Sequence, residues 1–201
     1  MTLTGLKNVK FVNCYFDGQG SMFAVRADNC TNVTIQNCEI TNASDAGVYG
    51  SGFNLLNSYI HHIGGDGIKA NHDVVIQGNY IAFLGWNNDS AHADGIQIPG
   101  GSNFLIQGNF FDMGRDVANT KSNSAVFAQG NFSNLTVDGN WMRGGNYTIH
   151  AYDDVDDYTS SITNNIFYTG SSAYGFGHID SSIGWSGNLT DLGKVALTST
   201  K

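Results

Sequence analysis

The chain predicts an all-β fold: a single-stranded right-handed parallel β-helix, a solenoid of about eight coils with three short strands per coil. Three observations predict it. One short phrase recurs eight times at variable spacing. Apolar and polar residues alternate strictly on its N-terminal side. No stretch places apolar residues at the three- and four-residue spacing that a helix needs.

The phrase reads FVNCYF at 11–16, IQNCEI at 35–40, LLNSYI at 55–60 and IQGNYI at 76–81. It returns as IQGNFF at 106–111, VDGNWM at 137–142, ITNNIF at 162–167 and WSGNLT at 185–190. One column through it holds Cys14, Cys38, Ser58, Asn79, Asn109, Asn140, Asn165 and Asn188, at steps between 20 and 31 residues. A repeat that holds its register while its length varies marks a solenoid.

The first strand of each coil follows from period-two alternation, which buries one face. Its inward columns are Val9, Val33, Phe53, Val74, Phe104, Leu135, Ser160 and Ile183, then Phe11, Ile35, Leu55, Ile76, Ile106, Val137, Ile162 and Trp185. The residues between, such as Lys10, Thr34, Asn54, Thr136 and Ser161, are mostly polar. The Asn column is expected to occupy the left-handed turn after this strand and to stack its amides along the axis. A second strand follows, with Phe16, Ile40, Ile60, Ile81, Phe111, Met142 and Phe167 pointing inward. The third is led by small residues: AGVYG at 46–50, DGIKA at 66–70, DGIQI at 94–98, SAVFA at 124–128, YTIHA at 147–151 and GFGHI at 175–179. The 26 glycines suit tight corners, and the lone Pro99 fits a fold in which nearly every backbone N–H is needed by a ladder.

This phrase of alternating apolar residues, Asn-x-Ile, a loop and then Gly-Ile resembles the pectate-lyase-like superfamily of right-handed parallel β-helix proteins, over nearly the whole chain. The superfamily includes polysaccharide lyases, glycoside hydrolases, epimerases, phage tailspikes and non-catalytic stalks. The resemblance implies a polysaccharide partner and a secreted, extracellular or virion-associated setting. Its members usually cap the first coil with an amphipathic helix, whereas this chain starts directly in a coil. It is therefore read as one domain, 1–201, forming part of a longer protein, with flanking domains or a second copy covering the coil ends.

Composition narrows the partners. The net charge is −8, the sequence pI is near 4.9 and 13% of residues are charged, which argues against nucleic acid. No apolar run is long enough to span a bilayer, and no signal peptide is visible in residues 1–10. Cys14 and Cys38 share a column on consecutive coils, so a disulfide meets the distance requirement. Two buried thiols serving as small apolar residues is the simpler expectation.

Function is expected where the repeat is broken. The insertions AFLGWNNDSAHA at 82–93 and DMGRDVANTKSN at 112–123 lie on consecutive coils and would wall one side of the third strand. They carry Trp86, Asp89, His92, Arg115, Asp116 and Lys121. The third strand supplies a floor, with an outward column of Tyr49, Lys69, Gln97, Phe127, His150 and His178. Two residues later the column is Ser51, Asn71, Pro99, Gln129, Tyr152 and Asp180; two earlier it is Gly47, Gly67, Gly95, Ala125, Thr148 and Phe176. Small residues beside polar and aromatic ones describe a trough for an extended glycan. Substrate-binding candidates are Asp66, Gln97, Phe127, Trp86, Tyr152 and His178.

Cleavage of an acidic glycan by β-elimination needs a cation on the carboxylate, a base and an acid. Lys69, Arg115, His92, Asp94 and His150 are the catalytic candidates: Arg115 or Lys69 on the carboxylate, His150 or His92 as base or acid, and Asp94 orienting His92 or holding a cation. The first alternative is glycoside hydrolysis by Asp66 and Asp94, which share a register on adjacent coils. His92-Ala93-Asp94-Gly95 is similar to the Asn-Thr-Asp-Gly motif of polygalacturonase-type hydrolases. That family's Asp-Asp pair is replaced here by Ser124-Ala125, and its Arg-Ile-Lys motif is absent. The second alternative is a non-catalytic stalk or adhesion module. Calcium is the one cofactor considered, at the acidic run 152–157, where a solvated loop is the simpler reading. No metal ligand is assigned.

Overall fold

The computed structural model describes residues 1–88, 90–114, 122–152, 158–196 and 198–200. They form three parallel sheets and, among the described residues, no helix. The first-strand sheet runs Lys10–Val12, Val33–Gln36, Phe53–Leu56, Val74–Gln77, Gly101–Gln107, Phe132–Asp138, Ser161–Thr163 and Gly184–Ser186. The second-strand sheet runs from Tyr15–Asp17 to Leu189–Thr190 and also has eight strands. Every pairing between these strands is parallel and joins one coil to the next. The fold is the predicted parallel β-helix.

The inward columns form the core. Val33, Phe53, Leu135, Ile35, Leu55, Val137, Ile40, Ile60, Ile81, Phe111, Met142 and Phe167 are all fully buried. The predicted register holds throughout: Val74 pairs with Phe104, Ile76 with Ile106 and Ile81 with Phe111. Ser160 breaks the apolar column yet is buried, and its hydroxyl accepts the Leu135 N–H at 3.0 Å.

The Asn column is a buried ladder from Asn79 to Asn188. Each amide accepts from the coil before it and donates to the coil after it. The Nδ2 group of Asn79 donates to Asn109 Oδ1 at 3.0 Å, Asn109 to Asn140 at 3.0 Å, Asn140 to Asn165 at 2.9 Å and Asn165 to Asn188 at 3.0 Å. Each Oδ1 also accepts a backbone N–H, and each Nδ2 also donates to a carbonyl such as Leu55, Ile76 or Ile106. The expectation that these residues occupy the left-handed turn is corrected. The positive φ belongs to the residue before: Asn13, Asn37, Asn57, Gly78, Gly108, Gly139, Asn164 and Gly187. The division is physical, because Gly and Asn tolerate that backbone, and the turn then aims the next amide inward. Cys14, Cys30 and Cys38 are free thiols. The Cys14 N–H points at Cys38 Sγ, 3.4 Å away, so the two cysteines continue the column without a bridge.

The third-strand sheet has nine strands among the described residues. It gains Thr2–Thr4, Phe23–Asp28 and Thr198–Thr200 over the six strands expected. One feature of its predicted shape is corrected. Gly47, Gly67 and Gly95 do not line a trough; they face the core. A Cβ on Gly47 would lie 2.9 Å from Ile60 Cγ2, one on Gly67 3.0 Å from Ile81 Cγ2, and one on Gly95 2.8 Å from the Phe111 ring. The residue before each glycine stands at the corner where the strand begins, and Ala46, Asp66 and Asp94 are buried there. In that register stand Phe23, Ala46, Asp66, Asp94, Ser124, Tyr147 and Gly175.

Candidate functional site

The outward column of the third-strand sheet is continuous. Arg26 pairs with Tyr49, Tyr49 with Lys69, Lys69 with Gln97, Gln97 with Phe127, Phe127 with His150 and His150 with His178. All but the exposed Arg26 are half-buried. Coils stack at roughly 4.8 Å, so neighbouring side chains in this column lie in contact range.

At one end of the column lies an ion network. Lys69 Nζ is 2.6 Å from Asp45 Oδ1 and 3.4 Å from Asp66 Oδ2. Burial alone would lower the Lys69 pKa, but the two carboxylates more than offset it and the net shift is upward. Asp66 is buried, and its Oδ1 accepts the Asp94 N–H at 2.7 Å. Burial pushes its pKa up to about 6, against the opposing pull of the Asp94 N–H and Lys69. Asp94 is fully enclosed. Its Oδ1 accepts from Asn123 Nδ2 at 2.9 Å, and Asn123 Oδ1 accepts in turn from Asn146 at 3.2 Å. Burial, reinforced by the Asp66 charge, raises the Asp94 pKa to about 8, so the carboxyl holds its proton at neutral pH. Among the described residues its Oδ2 has no hydrogen-bond partner, and it lies 3.9 Å from Nδ1 of His92, whose side chain is 66% exposed.

From His92 onward the site is aromatic. The His92 ring meets Phe127 edge-on at 5.9 Å, and Phe127 lies 4.8 Å from His150. His150 touches His178 at 4.9 Å. His178 is stacked between Tyr147 at 5.1 Å and Tyr152 at 5.4 Å, and its buried Nδ1 has no partner among the described residues. Burial, then the neighbouring imidazoles His178 and His92, lower the His150 pKa, so His150 is neutral at pH 7.

The structure therefore brings together Asp66, Lys69, His92, Asp94, Gln97, Phe127, His150, Tyr152 and His178. It places Trp86 elsewhere: its ring packs on His62 at 4.4 Å and Phe83 at 6.4 Å, at the corner after the second strand. The reason for that position is local. The Trp86 N–H donates to the Ile63 carbonyl, which ties the start of the insertion to the coil before. Arg115, Asp89, Asp116, Lys121 and the acidic run 153–157 lie outside the described residues, and the calcium expectation lies there with them. Among the described residues no three His, Cys, Asp or Glu side chains are grouped to hold a metal. The sequence reading missed Asp45, Asn123 and Tyr147. Tyr147 stands in the register of Asp66 and Asp94, which was a readable signal; Asp45 sits in the bend before Ala46–Gly50 and Asn123 near the start of Ser122–Gln129, and only the coil path sets their aim.

A family model described as the right-handed beta helix region matches residues 1–82. The match covers the regular first coils and stops where the first long insertion begins. No curated protein matches the chain. No helix of the described residues is long and apolar enough to cross a membrane.

Proposed function

We propose that this β-helix binds an extended acidic polysaccharide along the third-strand sheet and cleaves it by β-elimination. One observation carries the reading: a neutral histidine, His150, and an exposed histidine backed by a protonated carboxyl, His92 with Asp94, flank a single aromatic ring, Phe127. A sugar packed on Phe127 lies between two proton-transfer groups. His150, held neutral by burial, takes the proton beside the uronate carboxyl. The released electron pair forms the carbon–carbon double bond as the glycosidic C–O bond breaks. His92 protonates the leaving oxygen and is resupplied by Asp94. At 3.9 Å that last contact is too long for a hydrogen bond, and a small rotation of the exposed ring closes it. Gln97, Tyr147, Tyr152 and His178 supply contacts to neighbouring sugars. Lys69 is already matched by Asp45 and Asp66, which leaves the sequence's other candidate, Arg115, for the carboxylate.

Hydrolysis by Asp66 and Asp94 is the second reading, favoured by the raised pKa values of that pair. The full enclosure of Asp94 counts against its touching a substrate directly. Products separate the two. The protein is incubated with a panel of acidic and neutral polysaccharides, and new reducing ends and ultraviolet absorbance are followed together. Both signals rising supports β-elimination; reducing ends alone support hydrolysis. Binding without either signal supports an adhesion module and overturns the catalytic reading.

A further inference from the structure

The outward column does not start at the catalytic candidates; it runs back to Arg26. We propose that Arg26 and Tyr49 form a remote subsite that takes a carboxylate of the same acidic glycan. The inference rests on the functional reading above and adds to it the length of chain the protein holds.

Arg26 is presented on a shelf of two rings. Phe23 and Tyr49 stack at 4.5 Å with planes 15° apart, and the guanidinium carbon lies 5.9 Å and 5.6 Å from their centres. Its Nε lies 2.7 Å from Asp28 Oδ2 in an ion pair. Asp28 is its one ion-pair partner among the described residues, and it meets Nε rather than the two terminal nitrogens. Those two nitrogens form the planar fork that suits a carboxylate bidentately. Arg26 borders a polar cavity of about 460 Å³, lined also by Asp28, Ser51, Asn71 and His72, at the corner leaving the third strand. Ring shelf, guanidinium fork and amide and hydroxyl groups make a combination suited to an anionic sugar, whose ring packs on Tyr49 while its carboxylate meets Arg26.

Four coil steps separate Arg26 from Phe127, a span of roughly 19 Å along the axis. Lys69 and Gln97 lie between and continue the polar floor. A glycan long enough to cover that distance engages both sites at once, and the second contact is then intramolecular.

The test is binding of polyuronate oligomers of graded length, from polygalacturonate and from alginate in separate series, to the intact chain. Calorimetry reads the affinity. The wild type is expected to bind oligomers longer than the span about tenfold more tightly than shorter ones. Arg26→Gln removes that advantage. Ser51→Asp, which places an anion in the cavity and leaves the ring shelf alone, removes it independently of any packing change at Arg26. A length advantage that survives both substitutions overturns the subsite and leaves the catalytic reading standing. A wild type that binds no polyuronate overturns both.

Discussion

The substitution Asn109→Asp tests the ladder with almost no change of shape. Asn109 is 1% exposed and lies in the middle of the amide run. Its NH2 group donates to Asn140 Oδ1 and to the Ile76 carbonyl, while its Oδ1 accepts both the backbone N–H and the side-chain N–H of Asn79. The introduced carboxylate keeps the accepting oxygen and sets a second oxygen against two acceptors. It also buries a charge with no cation in the column, a change that typically costs ~3–5 kcal/mol. For a domain of this size ~1 kcal/mol corresponds to ~2–4 °C, so the melting temperature should fall by ~6–20 °C at pH 8. The deficit depends on pH. Enclosure raises the folded-state pKa of the new carboxyl above its unfolded value near 3.9, so the folded state holds a proton that the unfolded state has lost. The deficit is therefore smallest near pH 4, where the protonated carboxyl restores one donor, and grows as pH rises. Calorimetric melts at pH 4, 6 and 8 read it. A variant that melts with the wild type at every pH would refute the stacked-amide account.

Gly95→Ala should destabilise by ~1–3 kcal/mol, or roughly 2–12 °C, because the new methyl meets the Ala125 carbonyl oxygen and the Phe111 ring; an unchanged melt would place that glycine on the surface. The pKa values of Asp66 and Asp94 are raised, so the folded state binds more protons than the unfolded one, and stability falls as pH rises from about 4 through about 8. The lowered His150 pKa acts oppositely, adding stability as pH rises toward 6.5, which leaves the window from pH 6.5 to 8 to the acids. Asp94→Asn should flatten the melting temperature across that window; an equal slope in wild type and variant would show that Asp94 is ionised there. His150→Ala should fold, as judged by its melt, and lose cleavage by at least about a hundredfold, the usual scale of general acid–base catalysis. Retained turnover would remove His150 from the mechanism.

The period-two columns, the recurring Asn and the small residues leading each third strand were enough to give the coil path, the sheets and the pairing register. Those features are local, and a parallel solenoid converts local register directly into neighbour relations. For the same reason the column Lys69, Gln97, Phe127, His150 and His178 was legible, as was the adjacency of Asp66 and Asp94. Corners were not. Which residue takes the left-handed turn, that Gly67 faces the core while the buried Asp66 meets Lys69 and the Asp94 N–H, and that Asp45 reaches Lys69 all depend on how the backbone bends between sheets. The packing of Trp86 on His62 and Phe83 was not legible, because an insertion's sequence does not say which neighbouring coil it folds against.

Alternation and repeat length dictate, coil by coil, that the chain winds, how its strands register and which side chains form each line along the axis. The protonation states and pairings along that line come from the assembled coils. The proton held by Asp94, the neutral state of His150 and the pairing of Lys69 with Asp45 arise from burial and from groups on neighbouring coils, which lie 20 or more residues away in the sequence.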